Sequence, residues 1–159
     1  MEKAKEMLRV TQEESDAVSR LHSGPHLRTG DKSSFYEYFA VAGIRVERVE
    51  PGCVWCSFKA PSRLADRSGK LANGAIANLV DVVGGALIHE EGLPMNVSVS
   101  MSISFLSPAN VADELEITSR VLGRNGGYSG TIVLIKNKAT GELIAEGRHS
   151  LFGRHNSKM

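Results

Sequence analysis

Between Val97 and Phe105 apolar and polar residues alternate without a break: Val97, Val99, Met101, Ile103 and Phe105 against Ser98, Ser100, Ser102 and Ser104. A period of two predicts a half-buried strand, with the four serines on one face. ELEITSRVLG alternates in the same way, YSGTIVLIKN reads as a further strand and ELIAEGRHSLF as the last. Arg124-Asn125-Gly126-Gly127 and Lys138-Ala139-Thr140-Gly141 are turn signals between them. The four late strands are therefore expected to be antiparallel and joined as a meander, because their connections are too short for parallel crossovers. Upstream, GIRVERVEPGCVWCSFKAP predicts two strands meeting at Glu50-Pro51-Gly52. Thr11 and Glu14 form a capping box that opens a helix ending near Leu21. LHSGPHLRTGDKSS reads as a loop, and SFYEYFA as a short helix with Phe35 and Phe39 on one side.

The segment from Ala72 to Ile88 has a helical period. Ile76, Leu79, Val80, Val83, Leu87 and Ile88 form a packing stripe, and small residues fill much of the rest. A helix that is small and apolar nearly all round is wrapped by sheet or meets a second chain. Its one charge is Asp81, and a carboxylate is almost never fully buried without a partner. Either it bonds a neighbouring strand or reaches solvent at the helix edge, or it serves chemistry. Asn73, at the start, reads as an N-cap by residue type.

The chain has 159 residues, enough for one core. Its 42% hydrophobic and 23% charged residues fit a globular protein, and a formal charge of +1 gives no basic excess for nucleic acid. No stretch reaches the ~20 apolar residues of a spanning helix, and the charged N-terminus does not resemble a signal peptide, so no membrane is expected. Cys53 and Cys56 fit C-x-x-C but fall on opposite faces of a strand, and no second pair exists, so no metal or other cofactor is expected. His89 ends the apolar stretch beside Glu90 and Glu91, as cations often do near a helix C-terminus.

SGKLANGAIANLVDVVGGA, VSVSMSISFLSPA and NKATGELIAEGRH resemble the hotdog-fold thioesterase superfamily, in its PaaI-like and acyl-CoA thioesterase 13-like branch. The resemblance implies an α+β hotdog fold: an antiparallel sheet wrapped around one long central helix, with an extra N-terminal helix. It implies residues 1–42 as N-terminal helix and loop, 43–155 as the hotdog domain and 156–159 as a tail. The implied activity is hydrolysis of an acyl-CoA thioester by a homodimer or a dimer of dimers (a homotetramer). By position, Asp81 falls on the family's catalytic carboxylate, as base or as nucleophile, and Ser98 on the strand residue that helps position the attacking water. Ala72-Asn73-Gly74 stands where the family has His-Gly-Gly, so the N–H of Asn73 becomes the oxyanion donor, with Ala72 and Gly74 beside the substrate. Asp66 stands where the family has an asparagine that holds the thioester carbonyl. An ionised carboxylate cannot donate there, so Asp66 either faces the carbonyl unfavourably or turns into its own loop. His149 lies in the shared GRH stretch, structural or near the acyl-CoA.

A catalytically weak acyl-CoA-binding protein is the alternative, favoured by the departures at 66, 72 and 73. A hotdog dehydratase needs a histidine paired with an acid, and none stands at the start of the helix. The C-terminal Ser157-Lys158-Met159 resembles a peroxisomal address, which leaves a peroxisomal or a cytoplasmic location expected.

Overall fold

The computed structural model describes residues 2–21, 35–89 and 92–153. The loop expected over 22–34 and the C-terminal Ser-Lys-Met lie outside them. The chain divides into residues 1–39 and 40–159. The first unit carries α1 (Glu2–Leu8), which the periodicity did not predict, and α2 (Gln12–Leu21). Glu14 Oε2 accepts from the Thr11 N–H at 2.8 Å, and the Glu14 N–H donates to Thr11 Oγ1 at 3.2 Å, so the capping box opens α2 as expected.

From the short helix α3 (Phe35–Val41) the chain enters β1 (Arg45–Glu50) and β2 (Cys53–Lys59). Gly52, with φ 75°, takes the left-handed turn position that favours glycine. The central helix α4 spans Asn73–Ala86, and β3 (Val97–Phe105), β4 (Glu114–Asn125), β5 (Tyr128–Asn137) and β6 (Leu143–Phe152) follow. All six strands form one antiparallel sheet in the order β1-β2-β4-β5-β6-β3.

That order corrects the expected meander. Strands β4, β5 and β6 are sequential neighbours, but β3 pairs with β6 at the far edge. Residues 106–113 recross three inter-strand gaps, about 14 Å, well within the ~26 Å that eight extended residues span. The crossing is anchored: the Leu106 and Ser107 N–H groups donate to the Ile144 carbonyl, and the Ala109 carbonyl accepts from Leu71 at 2.8 Å.

Helix α4 lies along β3 to β6. Ile76, Leu79, Val80 and Val83 are buried against Ile117, Val133, Ile135 and Ile144. Burial of one such side chain contributes about 1.5–3 kcal/mol. Two glycines set the spacing. A Cβ on Gly147 would lie 2.5 Å from Val80 Cγ1, and one on Gly84 would lie 2.9 Å from His149 Nδ1. Without side chains there, the helix settles close enough for Asp81 to reach the sheet.

The opposite side of α4 is uncovered. Gly74 and Val82 are exposed there, and Asn73 and Ala86 are exposed at the two ends of the helix. Strand β3 adds exposed Val97, Val99, Met101 and Phe105 at the edge beside it. Cys56 is buried and Cys53 half-buried, both free. Among the described residues no helix is long and apolar enough to cross a membrane, and no cluster of residues is suited to a metal ion.

Candidate active site

The four serines of β3 do not share one face. Ser98 pairs with Leu151, but the next registered residue, Ser100, pairs with Ser150, which makes Val99 a bulge. Beyond it Met101, Ile103 and Phe105 sit opposite the buried residues His149, Gly147 and Ala145. Ser100, Ser102 and Ser104 sit opposite Ser150, Arg148 and Glu146 on the outer face. The bulge inverts the phase of the strand. Ser98 alone of the four turns inward, towards α4.

There it meets the carboxylate of Asp81. Ser98 Oγ donates to Asp81 Oδ1 at 2.6 Å. His149 Nε2 lies 2.9 Å from Ser98 Oγ and 3.3 Å from Asp81 Oδ1. The Asp81 side chain is 44% exposed, whereas His149 is buried. Among the described residues Oδ2 of Asp81 has no partner. One carboxylate oxygen is therefore held by the protein, and the side chain as a whole stays partly open to solvent. Sequence separation hides this trio: His149 is 51 residues from Ser98.

Proton placement follows from the distances. The Ser98 hydroxyl has one proton, and the 2.6 Å contact directs it to the carboxylate. Ser98 Oγ must then accept from His149, so Nε2 carries the hydrogen. The opposite tautomer would aim an Nε2 lone pair at two oxygens. Burial pushes the His149 pKa down, against the opposing pull of Asp81. Protonation would also bury a charge-bearing second N–H at Nδ1, away from solvent. His149 is therefore a neutral donor.

The start of α4 forms the second part. The N-cap is Ala72, extended at φ −64° and ψ 143°, and no side chain caps the helix. Asn73 is the first helical residue, which corrects its reading as N-cap. The segment is already tied back by the Ala72 N–H to the Leu64 carbonyl at 2.9 Å, so the backbone turns into the helix without a side-chain cap. Asn73 and Gly74 are exposed. Among the described residues their N–H groups have no acceptor, as at any uncapped helix start. They carry the positive end of the helix dipole. Eight residues separate Asn73 from Asp81, about 12 Å along the axis, so the structure brings Asp81, Ser98 and His149 together and leaves Ala72, Asn73 and Gly74 about two helical turns away.

Asp66 turns into its own loop. Its Oδ1 accepts from Ser68 Oγ at 2.7 Å, the Ser68 N–H at 2.8 Å and the Lys70 N–H at 3.1 Å. The Ser68 hydroxyl first, then the Lys70 and Ser68 N–H groups, hold its pKa below the usual carboxylate value. Asp66 therefore stays ionised and offers no hydrogen to a carbonyl. His89, at the helix end, accepts from the Asn96 N–H at 3.3 Å, a structural contact.

A sheet laid along one buried helix, with a carboxylate at the helix's open edge, is the hotdog architecture. The sequence profile of the Thioesterase superfamily matches residues 68–128, which span the helix and the bulged strand. Human acyl-coenzyme A thioesterase 13 is 40% identical over 109 residues, 67% of this chain and 77% of that protein. The mouse protein of that name is 36% identical over 97 residues, 60% of this chain and 69% of its own. The crystal structure of zebrafish thioesterase superfamily member 2 superposes with a TM-score of 0.68 at 29% identity, covering 92% of this chain and all of that one. The chain belongs to the thioesterase superfamily and is a thioester hydrolase.

Proposed function

We propose that the protein hydrolyses acyl-CoA thioesters, with Asp81 as general base and the N-terminus of α4 as oxyanion site. The substrate class rests on the acyl-coenzyme A thioesterase 13 relatives. The observation that carries the mechanism is the half-exposed Asp81, with Oδ1 engaged by Ser98 and His149 and Oδ2 free. Oδ2 accepts a proton from water as the water oxygen bonds to the thioester carbon. The electron pair of the C=O bond moves to oxygen, and helix-terminal N–H groups stabilise that charge. The pair returns, the C–S bond breaks, and the proton passes from Asp81 to sulfur, leaving free acid and CoA thiol.

The N–H of Asn73 is the oxyanion donor, helped by that of Gly74 beside it. With Asp66 committed to its loop, the Asn73 side-chain amide is the remaining donor near the carbonyl. Ala72 shapes the entry, and His149 acts through Ser98.

The site is shared by two copies of the chain. The helix start and Asp81 of one chain are about 12 Å apart, and the open side of α4 adjoins an edge strand carrying Val97, Val99, Met101 and Phe105. A long apolar edge is a template for pairing with another chain. Dimerisation through β3 brings one copy's helix start towards the other's Asp81, and a dimer of dimers extends the same unit. The tail Ser157-Lys158-Met159 leaves a peroxisomal or a cytoplasmic location as the working proposal.

The second reading, an acyl-CoA-binding protein with little turnover, is favoured by Ala72, Asn73 and the committed Asp66. Thiol release across a panel of acyl-CoAs, with calorimetric binding of the same compounds, separates the two. Turnover supports the hydrolase. Binding without thiol release on any of them rejects it.

A further inference from the structure

We infer that Thr131 is a positioning residue of this site: its hydroxyl donates to Nδ1 of His149 and so holds the ring with its Nε2–H aimed at Ser98. The inference rests on the reading of Asp81 as the base and extends its support by one residue. Thr131 and His149 are register partners on β5 and β6. Directly opposed Cβ atoms lie about 4.5–5.5 Å apart, which puts a hydroxyl and a ring nitrogen within reach of each other through a Thr χ1 rotation. Both atoms are buried, and among the described residues neither has a partner. Both also close on one point of α4: a Cβ on Gly84 would lie 2.9 Å from Nδ1, 3.0 Å from Thr131 Oγ1 and 3.3 Å from Val133 Cγ2.

Each of the two atoms is what the other lacks. The neutral Nε2–H tautomer leaves Nδ1 an acceptor, and a threonine hydroxyl is a donor. Left apart, each bears its full desolvation cost. The wall at Gly84 offers no other polar side chain, and the buried Ser119 hydroxyl, diagonal to Thr131 on β4, is farther than its direct register partner His149. Gly84 has no side chain and Val133 is apolar. His89 Nε2 approaches the same wall at Gly85, where the nearest ring atom of His149 is the carbon Cε1. Asp81 and Gly84 are one helical turn apart, so α4 meets the imidazole at both nitrogens, with a carboxylate near one and bare backbone at the other. The hydrogen bonds then run from Thr131 to His149 to Ser98 to Asp81, every donor pointing towards the base.

The test uses wild type, Thr131→Val and Thr131→Ser in the full chain. Side-chain 15N spectra of His149, assigned against His149→Gln, report the tautomer and hydrogen bonding at Nδ1. Thr131→Val is expected to shift the Nδ1 resonance, lower Tm and lower kcat about fivefold with KM unchanged, the rate equivalent of one ordinary hydrogen bond. Thr131→Ser should restore all three. Unchanged His149 resonances in Thr131→Val, or a raised Tm as expected when a methyl replaces an unpaired buried hydroxyl, would overturn the inference. Were the wild type to release no thiol, the functional reading would fail, while the spectra and melting would still decide the Thr131 contact.

Discussion

Ser98→Ala removes the hydrogen bond that orients Asp81 and leaves the fold intact. The lost contact is a 2.6 Å bond from a hydroxyl to a carboxylate. Hydrogen bonds to charged groups contribute about 1.5–3 kcal/mol, equivalent to roughly 10- to 150-fold in rate. Two features of the site pull the effect to the lower end. The Asp81 side chain is 44% exposed, so solvent screens the contact, and His149 Nε2 already lies 3.3 Å from Oδ1 and can close on it. The expected result is a fall of about tenfold in kcat with little change in KM, as for an interaction realised in the transition state. Ser100→Ala is the control. Two residues along a regular strand it would face the same way, but across the Val99 bulge it faces outward opposite Ser150. Its kcat should stay within about twofold of wild type. Initial rates of thiol release over a substrate series measure both. Equal losses in the two variants, or none in Ser98→Ala, would refute the bulge as the device that aims the serine.

Other perturbations test separate parts. The folded state holds His149 below its ordinary value near 6.5, so the unfolded chain binds more protons as pH falls. Stability should then be level above that value and decline below it. Melting temperatures from pH 8 to pH 5 should fall more steeply for wild type than for His149→Gln, and parallel curves would contradict this. Asp66→Asn retains the accepting oxygen of the loop, so turnover should stay within about twofold; a large rise would mean the carboxylate faces the carbonyl. Asn73→Pro removes one oxyanion donor at the first helical position, where proline fits. Ala72 is already extended at ψ 143° and compatible with a following proline. Asn73→Pro and Asp81→Asn, each nearly inactive alone, should recover up to about half of wild-type activity in a purified mixed dimer, because one shared site then has both wild-type groups. No recovery with both partners folded would rule out the shared site.

Local chemistry was legible in the sequence and long-range pairing was not. The capping box at Thr11, the turn at Gly52, the helix around Leu79 and the alternation of β4 are each encoded within a few residues. Strand order is not. A period of two tells which faces a strand has but not which neighbour it takes, and β3 finds β6 only because residues 106–113 recross the sheet. The bulge at Val99 leaves no mark: neither glycine nor proline stands there, and the alternation reads as unbroken. Family resemblance singled out Ser98, but only the register explains why that serine and not Ser100 faces the carboxylate. Thr131 lies in the inward set with Val133 and Ile135, and a hydroxyl among β-branched residues at the same spacing is the one trace it leaves. Asn73 looked like a cap because asparagine favours that position, yet the backbone turns into the helix one residue earlier, at Ala72.

The central claim is that Asp81 activates the water. Single-turnover thiol release by wild type and by Asp81→Asn, on the best acyl-CoA of the panel, tests it most directly. The amide keeps the shape of the side chain and removes the base, so the rate should fall about a hundredfold or more, with circular dichroism unchanged. A folded Asp81→Asn protein that releases thiol at the wild-type rate would contradict the account.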